Sequence, residues 1–330
     1  MSYISQKFSV EDLNFDCEKE CSRITYALND YLRTYHKRGF VVALSGGIDS
    51  SVVGALCVRA VGKDRVFGLS LPEQDSSFDT LRLSEKIANE LGIEHDTEDI
   101  TPALEAVGCY ERRDEAIRSV IPEYDSSYTC KIVLPGVLEE QKYRFFSVVV
   151  ESPEGEQIKE RLTADAYLGI LAASNFKQRI RKMFEYYHAD RLNYAVTGTP
   201  NLQEYDQGFF VKNGDGSADI KPIAHLYKLQ VYKLAEYLGI PREIQNRPPT
   251  TDTYSMEQSQ EEFYFSVPYD KMDICMFGLN HGVSAQLVAE ATDLTAEQVN
   301  RVWQDIEAKR KATKYLHTPP VVVTSTADMP

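Results

Sequence analysis

A run of five apolar residues that leads directly into a turn of small residues constrains the fold of this 330-residue chain more than any other stretch. The apolar run covers residues 40–44, the turn covers 45–47, and an apolar helical pattern follows over 50–61. A short continuous apolar segment closed by turn residues is typical of a strand buried on both faces of a parallel sheet. The stretch therefore predicts a buried strand, a sharp turn and a buried helix at the centre of an α/β fold.

The turn has the composition of a phosphate-binding loop. Gly46 and Gly47 allow the backbone to turn sharply and bring its N–H groups close to a ligand. Asp49, Ser50 and Ser51 are residue types that cap helix N-termini, where unpaired N–H groups and the helix dipole favour an anion. A Gly-Gly turn alone would fit a plain strand–helix connection, but the order Ser-Gly-Gly-x-Asp-Ser after an apolar strand is far more specific. It lacks the Gly-Lys-Ser/Thr end of a Walker loop and the three-glycine spacing of a dinucleotide fingerprint.

Strands and helices alternate with short connections through the first hundred residues, which is the pattern of a doubly wound parallel sheet flanked by helices. Ligands in such sheets bind at the carboxyl ends of the strands, where the small-residue turn lies. The predicted strands are residues 40–44, 65–70, 93–97 and 194–196, and the predicted helices are residues 16–37, 50–61, 78–91, 164–187, 226–238, 269–278, 284–290 and 295–311.

Residues 108–163 interrupt this alternation. Extended patterns at 128–134, 143–151 and 157–162 predict a small β-rich insertion within a single domain that spans residues 1–330. The residues assign no role to the insertion, and a surface or oligomer-contact element is the favoured interpretation.

Composition excludes some classes of partner. The formal net charge of −14 argues against nucleic acid or an anionic membrane as the primary partner, and no apolar run approaches the length of a membrane span. The six cysteines are scattered and show no metal-site spacing, which indicates reduced thiols and a cytoplasmic protein. The histidines likewise show no metal spacing and are predicted to be structural or exposed. Because the chain is acidic, any anionic substrate must be met by locally placed Lys and Arg residues.

Two motifs carry a resemblance to a known family. The loop at 45–50 resembles the pyrophosphatase loop of enzymes that split ATP into AMP and pyrophosphate. The second motif combines Gly198-Thr199 and Glu204, spaced Gly-Thr-x-x-x-x-Glu, with a Lys-x-Gly-Asp-Gly-x-x-Asp pattern at 212–219. Together they closely resemble the ammonia-dependent NAD synthetases, over roughly residues 20–105 and 165–320.

The resemblance implies a two-step ligase reaction that uses ATP as co-substrate and Mg²⁺ as cofactor. Deamido-NAD is adenylated by ATP with release of pyrophosphate, and ammonia then displaces AMP to give NAD. The implied ATP-binding residues are Leu44, Ser45, Gly46, Gly47, Ile48, Asp49, Ser50, Leu69, Thr199, Lys228 and Thr250. The implied deamido-NAD-binding residues are Arg179, Lys212 and Asp219, the implied magnesium ligands are Asp49 and Glu204, and the implied catalytic residues are Asp49, Lys212 and Lys228.

Local sequence gives a plainer alternative for several of these residues. Glu204 alone would suit a solvated loop side chain, and Lys228 a surface position, although a cation at a helix start opposes the dipole and so favours a phosphate contact. Arg179 and Arg181 lie two residues apart on a helix and should not share a face; the resemblance favours Arg179. The family's C-terminal His-Lys pair that contacts the dinucleotide has no secure equivalent, with Lys314 and His317 as candidates.

The resemblance also implies how the chain works with partners. A homodimer with deamido-NAD bound across its interface is expected. No glutaminase domain fits ahead of residue 40, so free ammonia is the expected nitrogen donor, unless a separate glutaminase subunit delivers it. The loops at 74–79 and 251–265 are expected to close over ATP. The alternatives are another adenylating ligase with the same loop, and a non-catalytic nucleotide-sensing protein of the same fold.

Overall fold

The computed structural model describes residues 8–134, 136–138, 145–250, 253–265 and 267–322. The strands of this part of the chain are β1 (Phe40–Ala43), β2 (Val66–Ser70), β3 (Glu94–Thr97), β4 (Thr129–Val133), β5 (Ser147–Glu151), β6 (Gln157–Arg161) and β7 (Ala195–Thr197). Four of them form a parallel sheet in the order β3-β2-β1-β7. The strand order reverses between β1 and β7, so the crevice at the carboxyl ends of these two strands is where ligands bind in such folds.

Strand β1 is buried on both faces, as its continuous apolar sequence predicts. Phe40 and Val42 belong to the core on one side of the sheet, whereas Val41 belongs to the core on the other side. This division follows from the period-2 alternation of a strand. The α/β class and the flanked parallel sheet are therefore confirmed.

Helices cover both faces of the sheet. The α-helices of the described residues are α1 (Cys17–Thr34), α2 (Ile48–Val61), α3 (Phe78–Leu91), α4 (Thr101–Ala106), α5 (Cys109–Arg118), α6 (Ala164–Leu192), α7 (Leu202–Gln207), α8 (Lys228–Tyr237), α9 (Arg242–Gln245), α10 (Tyr269–His281), α11 (Ala285–Thr292) and α12 (Ala296–Thr313). Helices α1, α2, α3 and α8 pack on one face, and α4, α5 and α6 on the other. Helices α10 to α12 build a separate apolar cluster that also holds Leu13 and Tyr227. None of the helices within the described ranges has the length and apolarity that crossing a membrane requires.

The insertion forms a three-stranded antiparallel sheet in the order β4-β5-β6, which confirms the three extended segments. Residues 143–144 of the predicted middle strand lie outside the described residues. The predicted start at residue 108 is wrong, because helix α5 follows it directly. Helical spacing buries Cys109, Arg113 and Ile117 against α6. Because one of these buried residues is an arginine, the sequence lacks the continuous apolar face by which a helix is predicted.

The inserted sheet is not a loose surface element. Cys130, Val148 and Val150 pack in one cluster with Ile170 of α6 and with Tyr254, which lies more than a hundred residues further along the chain. The interpretation of this segment as a surface insertion is therefore incomplete. The inserted sheet shares its apolar core with α6, the helix that lines the central cavity.

Candidate active site

A cavity of about 630 Å³ lies at the carboxyl ends of the parallel strands. Its wall is formed by the ends of β1, β2 and β7, the first turn of α2, the start of α8 and much of α6. This is the position that the strand order β3-β2-β1-β7 favours for a ligand. The predicted residues that line it are Leu44, Ser45, Gly47, Ile48, Asp49, Ser50, Leu69, Arg179, Thr199, Glu204, Lys212, Lys228 and Thr250.

The first turn of α2 presents backbone N–H groups to this cavity. Helix α2 begins at Ile48, with Gly47 as its N-cap residue, and no side chain caps its first N–H groups within the described part of the chain. The prediction that Asp49, Ser50 or Ser51 caps the helix is wrong. The hydroxyls of Ser50 and Ser51 donate instead to the Gly47 carbonyl at 3.1 and 2.8 Å. The uncapped N–H groups and the helix dipole favour an anion at this end of the cavity.

Gly46 fixes the path of the loop rather than lining the cavity. Its φ of +66° lies in the left-handed region, and an added Cβ would lie 2.7 Å from the Thr80 carbonyl oxygen and 2.8 Å from the Leu83 Cβ. The loop can therefore pack against α3 only if this residue has no side chain. Gly46, which is predicted to bind ATP, is therefore a buried residue of the loop that determines the loop's shape.

Two carboxylates and one buried ammonium group converge below the loop. Lys228 Nζ is paired with Asp49 Oδ2, and the Lys228 side chain is 2% exposed. Asn201 Nδ2 donates to Asp49 Oδ1 at 3.2 Å, and the Asn201 backbone N–H donates to Glu204 Oε2 at 3.1 Å. Glu204 Oε1 accepts from Gln260 Nε2 at 3.0 Å. Glu204 is therefore held in the first turn of α7, not on a solvated loop.

The charges in this group alter one another's proton affinity. Burial, reinforced by the Asp49 carboxylate, raises the pKa of Glu204 to about 7, although Lys228 opposes the change. Burial alone would lower the pKa of Lys228, but the carboxylates of Asp49 and Glu204 outweigh burial and raise it. Lys228 is therefore a cation in the protein interior, placed where α2 presents its N–H groups.

Asp273 of α10 explains how a lysine can begin helix α8. Its carboxylate accepts the backbone N–H groups of Lys228 at 3.2 Å and Leu229 at 2.7 Å, so it caps a helix to which it does not belong. Gln203 Nε2 donates to the same carboxylate at 2.6 Å. Burial nevertheless raises the pKa of Asp273 to about 7. This cap fixes the position of the Lys228 backbone, and no local signal predicts it because 45 residues separate the partners.

Helix α6 brings several cations to the opposite wall. Arg179 and Arg181 both line the cavity, although their spacing predicts different faces, because the cavity extends around more than one face of α6. Arg181 Nε donates to the Leu71 carbonyl at 3.1 Å. Lys182 also lines the cavity and is paired with Glu185 at 2.6 Å, with both side chains buried.

The C-terminal segment closes one end of the cavity. Lys212 Nζ donates to the carbonyls of Tyr315 at 3.0 Å and Thr318 at 3.4 Å, and Arg179 Nε donates to the Lys212 carbonyl at 3.3 Å. Tyr315 also lines the cavity, whereas His317 packs its ring edge-on against Tyr205 and Phe210 at 4.8 and 5.1 Å.

Asp219 does not line the cavity. Its carboxylate accepts the Val196 backbone N–H at 2.7 Å and the Tyr186 hydroxyl at 3.4 Å. These contacts tie the segment after the 212–219 motif to the β7 edge of the sheet. In this structure Asp219 positions β7, which leads into the segment with Thr199, rather than facing the cavity itself.

Sequence reasoning missed several residues of the cavity wall. Arg247 lies beside the loop, with its guanidinium donating to the Thr80 hydroxyl at 2.8 Å. Its position directly before Pro248 and Pro249, near the predicted Thr250, is the signal that could have identified it. Phe146 of the insertion reaches the cavity and stacks on Tyr167 of α6 at 4.3 Å, a contact with no local signature.

The donor set at Asp49 and Glu204 suits a hard divalent cation. Carboxylate oxygens are the ligands that Mg²⁺ prefers, and the electrostatic strain that raises the pKa of Glu204 is one that a bound cation relieves. Each carboxylate keeps further lone pairs beyond its present hydrogen bonds. The residues therefore fit the implied magnesium ion.

A second group of possible ligands, Asp96, Glu98 and His188, fits a metal less well. Arg191 donates to His188 Nδ1 at 3.0 and 2.7 Å. Since arginine can only donate, Nδ1 must accept, and Nε2 carries the proton that it shares with Glu98. The ring thus has no free lone pair for a cation, which agrees with the predicted structural role of this histidine.

Comparisons with known proteins agree with this geometry. The NAD synthase family model matches residues 20–120 and 150–315. An NH(3)-dependent NAD(+) synthetase of Rhizobium meliloti (strain 1021) is 59% identical over 316 residues, which are 96% of this chain and 95% of the relative. One from Mesorhizobium japonicum is 57% identical and covers 94% of this chain and 98% of the relative. Among solved structures, an NMN synthetase from Francisella tularensis shares the fold, with a TM-score of 0.65, 24% identity and coverage of 94% and 99% of the two chains.

We predict that Gly46→Ala destabilises the protein and weakens ATP binding. The added methyl group must displace α3 or the loop, and the positive φ costs about 1–3 kcal/mol by itself. Gly239→Ala is the matched control, because Gly239 also has a positive φ of +73° but no atom lies within 4 Å of an added Cβ. Urea unfolding and calorimetric ATP titration measure both effects. Equal stability losses in the two variants, with unchanged ATP affinity, would contradict this prediction.

Proposed function

The chain belongs to the NAD synthase family, and we propose that it catalyses the ATP-dependent amidation of deamido-NAD to NAD with ammonia as nitrogen donor. The observation that carries this proposal is the uncapped N-terminus of α2 beside the Asp49–Lys228–Glu204 group in one cavity. An anion-binding helix end next to a buried cation and two carboxylates suits the departure of pyrophosphate from ATP. These motifs do not favour a non-catalytic nucleotide sensor, since Asp49 and Glu204 are both present and both face the cavity.

The reaction needs no covalent protein intermediate. A carboxylate oxygen of deamido-NAD attacks the α-phosphorus of ATP, and the bond to the bridging oxygen breaks to release pyrophosphate. Ammonia then attacks the activated carbonyl carbon, loses a proton and expels AMP. The protein's contribution is therefore to bind, orient and neutralise charge.

Each side chain has a place in this scheme. The N–H groups of α2 and the Lys228 ammonium stabilise negative charge on the pyrophosphate as it leaves, and Arg247 adds a second cation beside the loop. Leu44, Leu69, Thr199 and Thr250 surround ATP. Asp49 and Glu204 would hold Mg²⁺, which neutralises phosphate charge when bound. Arg179 and Lys212 bind the deamido-NAD anion, with Asp219 acting through the end of β7.

We predict that the purified chain forms NAD from deamido-NAD, ATP and Mg²⁺ when ammonium is supplied. NAD, AMP and pyrophosphate should appear in equal amounts, and glutamine should not replace ammonium. Nicotinic acid mononucleotide, offered as a competing substrate, tests the preference for a dinucleotide. Turnover with the mononucleotide only, or hydrolysis of ATP without an amide product, would contradict the proposed function.

We predict that Asp49→Asn lowers pyrophosphate release by at least about 100-fold, because the variant loses a carboxylate that holds Mg²⁺ and pairs with Lys228. Asparagine keeps the shape of the side chain, but the buried Lys228 ammonium loses its paired charge, so the melting temperature should also fall, and release is compared at a temperature at which both proteins are folded. Asp30→Asn is the control, since Asp30 forms an exposed ion pair with Arg33 on α1. Wild-type pyrophosphate release by Asp49→Asn would remove Asp49 from the magnesium site.

The protein is proposed to act as a homodimer through helix α6. Leu168, Met183 and Tyr187 are 58%, 66% and 61% exposed, and with Ala172 they form a largely apolar stripe on one side of α6, which the exposed Arg179 interrupts. Residues of the same helix, among them Arg179, line the cavity. A second copy packed on this stripe would bring the cavity to the interface, which agrees with binding of deamido-NAD between subunits.

We predict that Met183→Glu converts a dimer into a monomer of 37.4 kDa, because a carboxylate would be buried without a partner at the interface. Tyr26→Glu is the control, since Tyr26 of α1 is 68% exposed but lies on another helix. Light scattering after size-exclusion chromatography gives the mass. A wild-type monomer, or a dimer that survives Met183→Glu, would refute this interface.

The setting proposed for the enzyme is the cytoplasm. All six cysteines are free thiols, five of them buried, which is usual in a reducing compartment. Ammonia reaches the enzyme from solution or from a separate glutaminase subunit.

A further inference from the structure

A second buried network of charges lies beside the cavity, and Lys177 of α6 is its centre. Lys177 Nζ lies 2.9 Å from Glu73 Oε1 and 2.6 Å from Asp75 Oδ2, and it donates to the Thr253 carbonyl at 2.9 Å. The side chains of Lys177, Glu73 and Asp75 are 1%, 0% and 3% exposed. An ammonium group has three N–H donors, so this set accounts for all of them.

The network joins two loops that are far apart in the sequence. Glu73 and Asp75 belong to the 72–77 loop between β2 and α3, whereas Thr253 belongs to a second loop, whose residues 253–259 are called the 253–259 loop. Lys177 lies about a hundred residues from the first loop and 76 from the second. Because one ammonium group binds both loops, neither can leave its position without leaving a buried charge or carbonyl unpaired.

Other contacts hold the 72–77 loop in the same arrangement. Arg113 of α5 is paired with Asp75 at 2.7 Å and with Asp114 at 2.9 Å. The Tyr110 hydroxyl donates to Glu73 Oε2 at 2.8 Å. The 253–259 loop is held separately by β4: the Met256 N–H donates to the Cys130 carbonyl at 3.1 Å, and Gln258 Nε2 donates to the Ile132 carbonyl at 2.6 Å. Lys177 links this loop to the 72–77 loop.

Both loops form part of the cavity wall. Pro72 and Ser76 of the first loop line the cavity, as do Thr253 and Tyr254 of the second. Lys177 lines it too, but its three donors are directed at protein oxygens. Lys177 is therefore suited to hold the two loops in the cavity wall rather than to bind the substrate.

We propose that Lys177 is a positioning residue that holds the 72–77 and 253–259 loops against the cavity as one unit. This inference rests on the proposed function and adds a residue that acts through the two loops. The binding of ATP and of the adenylated intermediate therefore depends on Lys177 without contact to it.

The test compares Lys177→Met with the triple variant Lys177→Met/Glu73→Gln/Asp75→Asn. The single variant leaves two buried carboxylates with too little positive charge, so it should unfold at a lower temperature than the wild type. The triple variant removes those charges, and Arg113 and Asp114 still neutralise each other. It should regain stability close to that of the wild type, but the Thr253 carbonyl still lacks its donor.

The readout of loop position is cleavage by a glutamate-specific protease after Glu257, which is exposed in the 253–259 loop. The triple variant should be cut there at least about tenfold faster than the wild type, and its KM for ATP should rise about tenfold with a smaller change in kcat. Arg59→Gln, which breaks an exposed ion pair with Glu18, should change neither quantity.

Three results would overturn the proposal. A stable triple variant with wild-type protection at Glu257 and wild-type KM would show that the loops do not need Lys177. A lower kcat with an unchanged KM for ATP, and without faster cleavage, would assign Lys177 to the chemistry. A triple variant that fails to fold would assign it to core stability alone.

A failure of the proposed function is distinguishable, because it would appear as absent NAD formation by the wild type, while the cleavage at Glu257 would still report the link between the loops.

Discussion

The ion pair between Lys228 and Asp49 holds together the two elements that define the cavity. Asp49 lies in the first turn of α2, directly after the glycine loop, and Lys228 lies in the first turn of α8. A buried ammonium group is costly unless it is paired, so the position of α8 relative to α2 is fixed by this contact. Asp273 completes the arrangement, because it caps α8 from α10 and thereby joins the C-terminal helices to the end of the cavity where α2 begins.

Helix α6 carries out several tasks at once because of its length. It packs on the sheet through Ile180 and Ala189, supports the inserted sheet through Ile170, and lines the cavity with Arg179. One further stripe of the same helix, which includes Met183, is exposed and apolar. A change anywhere along this helix therefore reaches the sheet, the insertion, the cavity and the proposed subunit interface.

The acidic character of the chain makes the cationic cavity wall informative. With a formal charge of −14, the protein repels anionic ligands at long range, so anion binding depends on local groups. Lys228, Arg247, Arg179, Arg181 and Lys182 all border the cavity. Lys177 is also there, but its partners are two loop carboxylates, and it therefore contributes to the shape of the site rather than to its charge.

Local sequence patterns alone determined the parallel sheet and the glycine loop. These features depend on local patterns: a continuous apolar strand, a turn that requires glycine, and helices with an apolar face. The resemblance supplied the candidate ATP, deamido-NAD and magnesium residues, and all of these except Gly46 and Asp219 line the cavity. The C-terminal candidates Lys314 and His317 do not line it. Only the tertiary structure decided where buried polar groups find their partners. The cap from Asp273, the network at Lys177, the burial of Arg113 in α5 and the contact of Phe146 with Tyr167 each join residues that local sequence cannot relate. A buried charge requires a partner, but the chain can supply that partner from any element that packs nearby, and packing is a property of the folded whole.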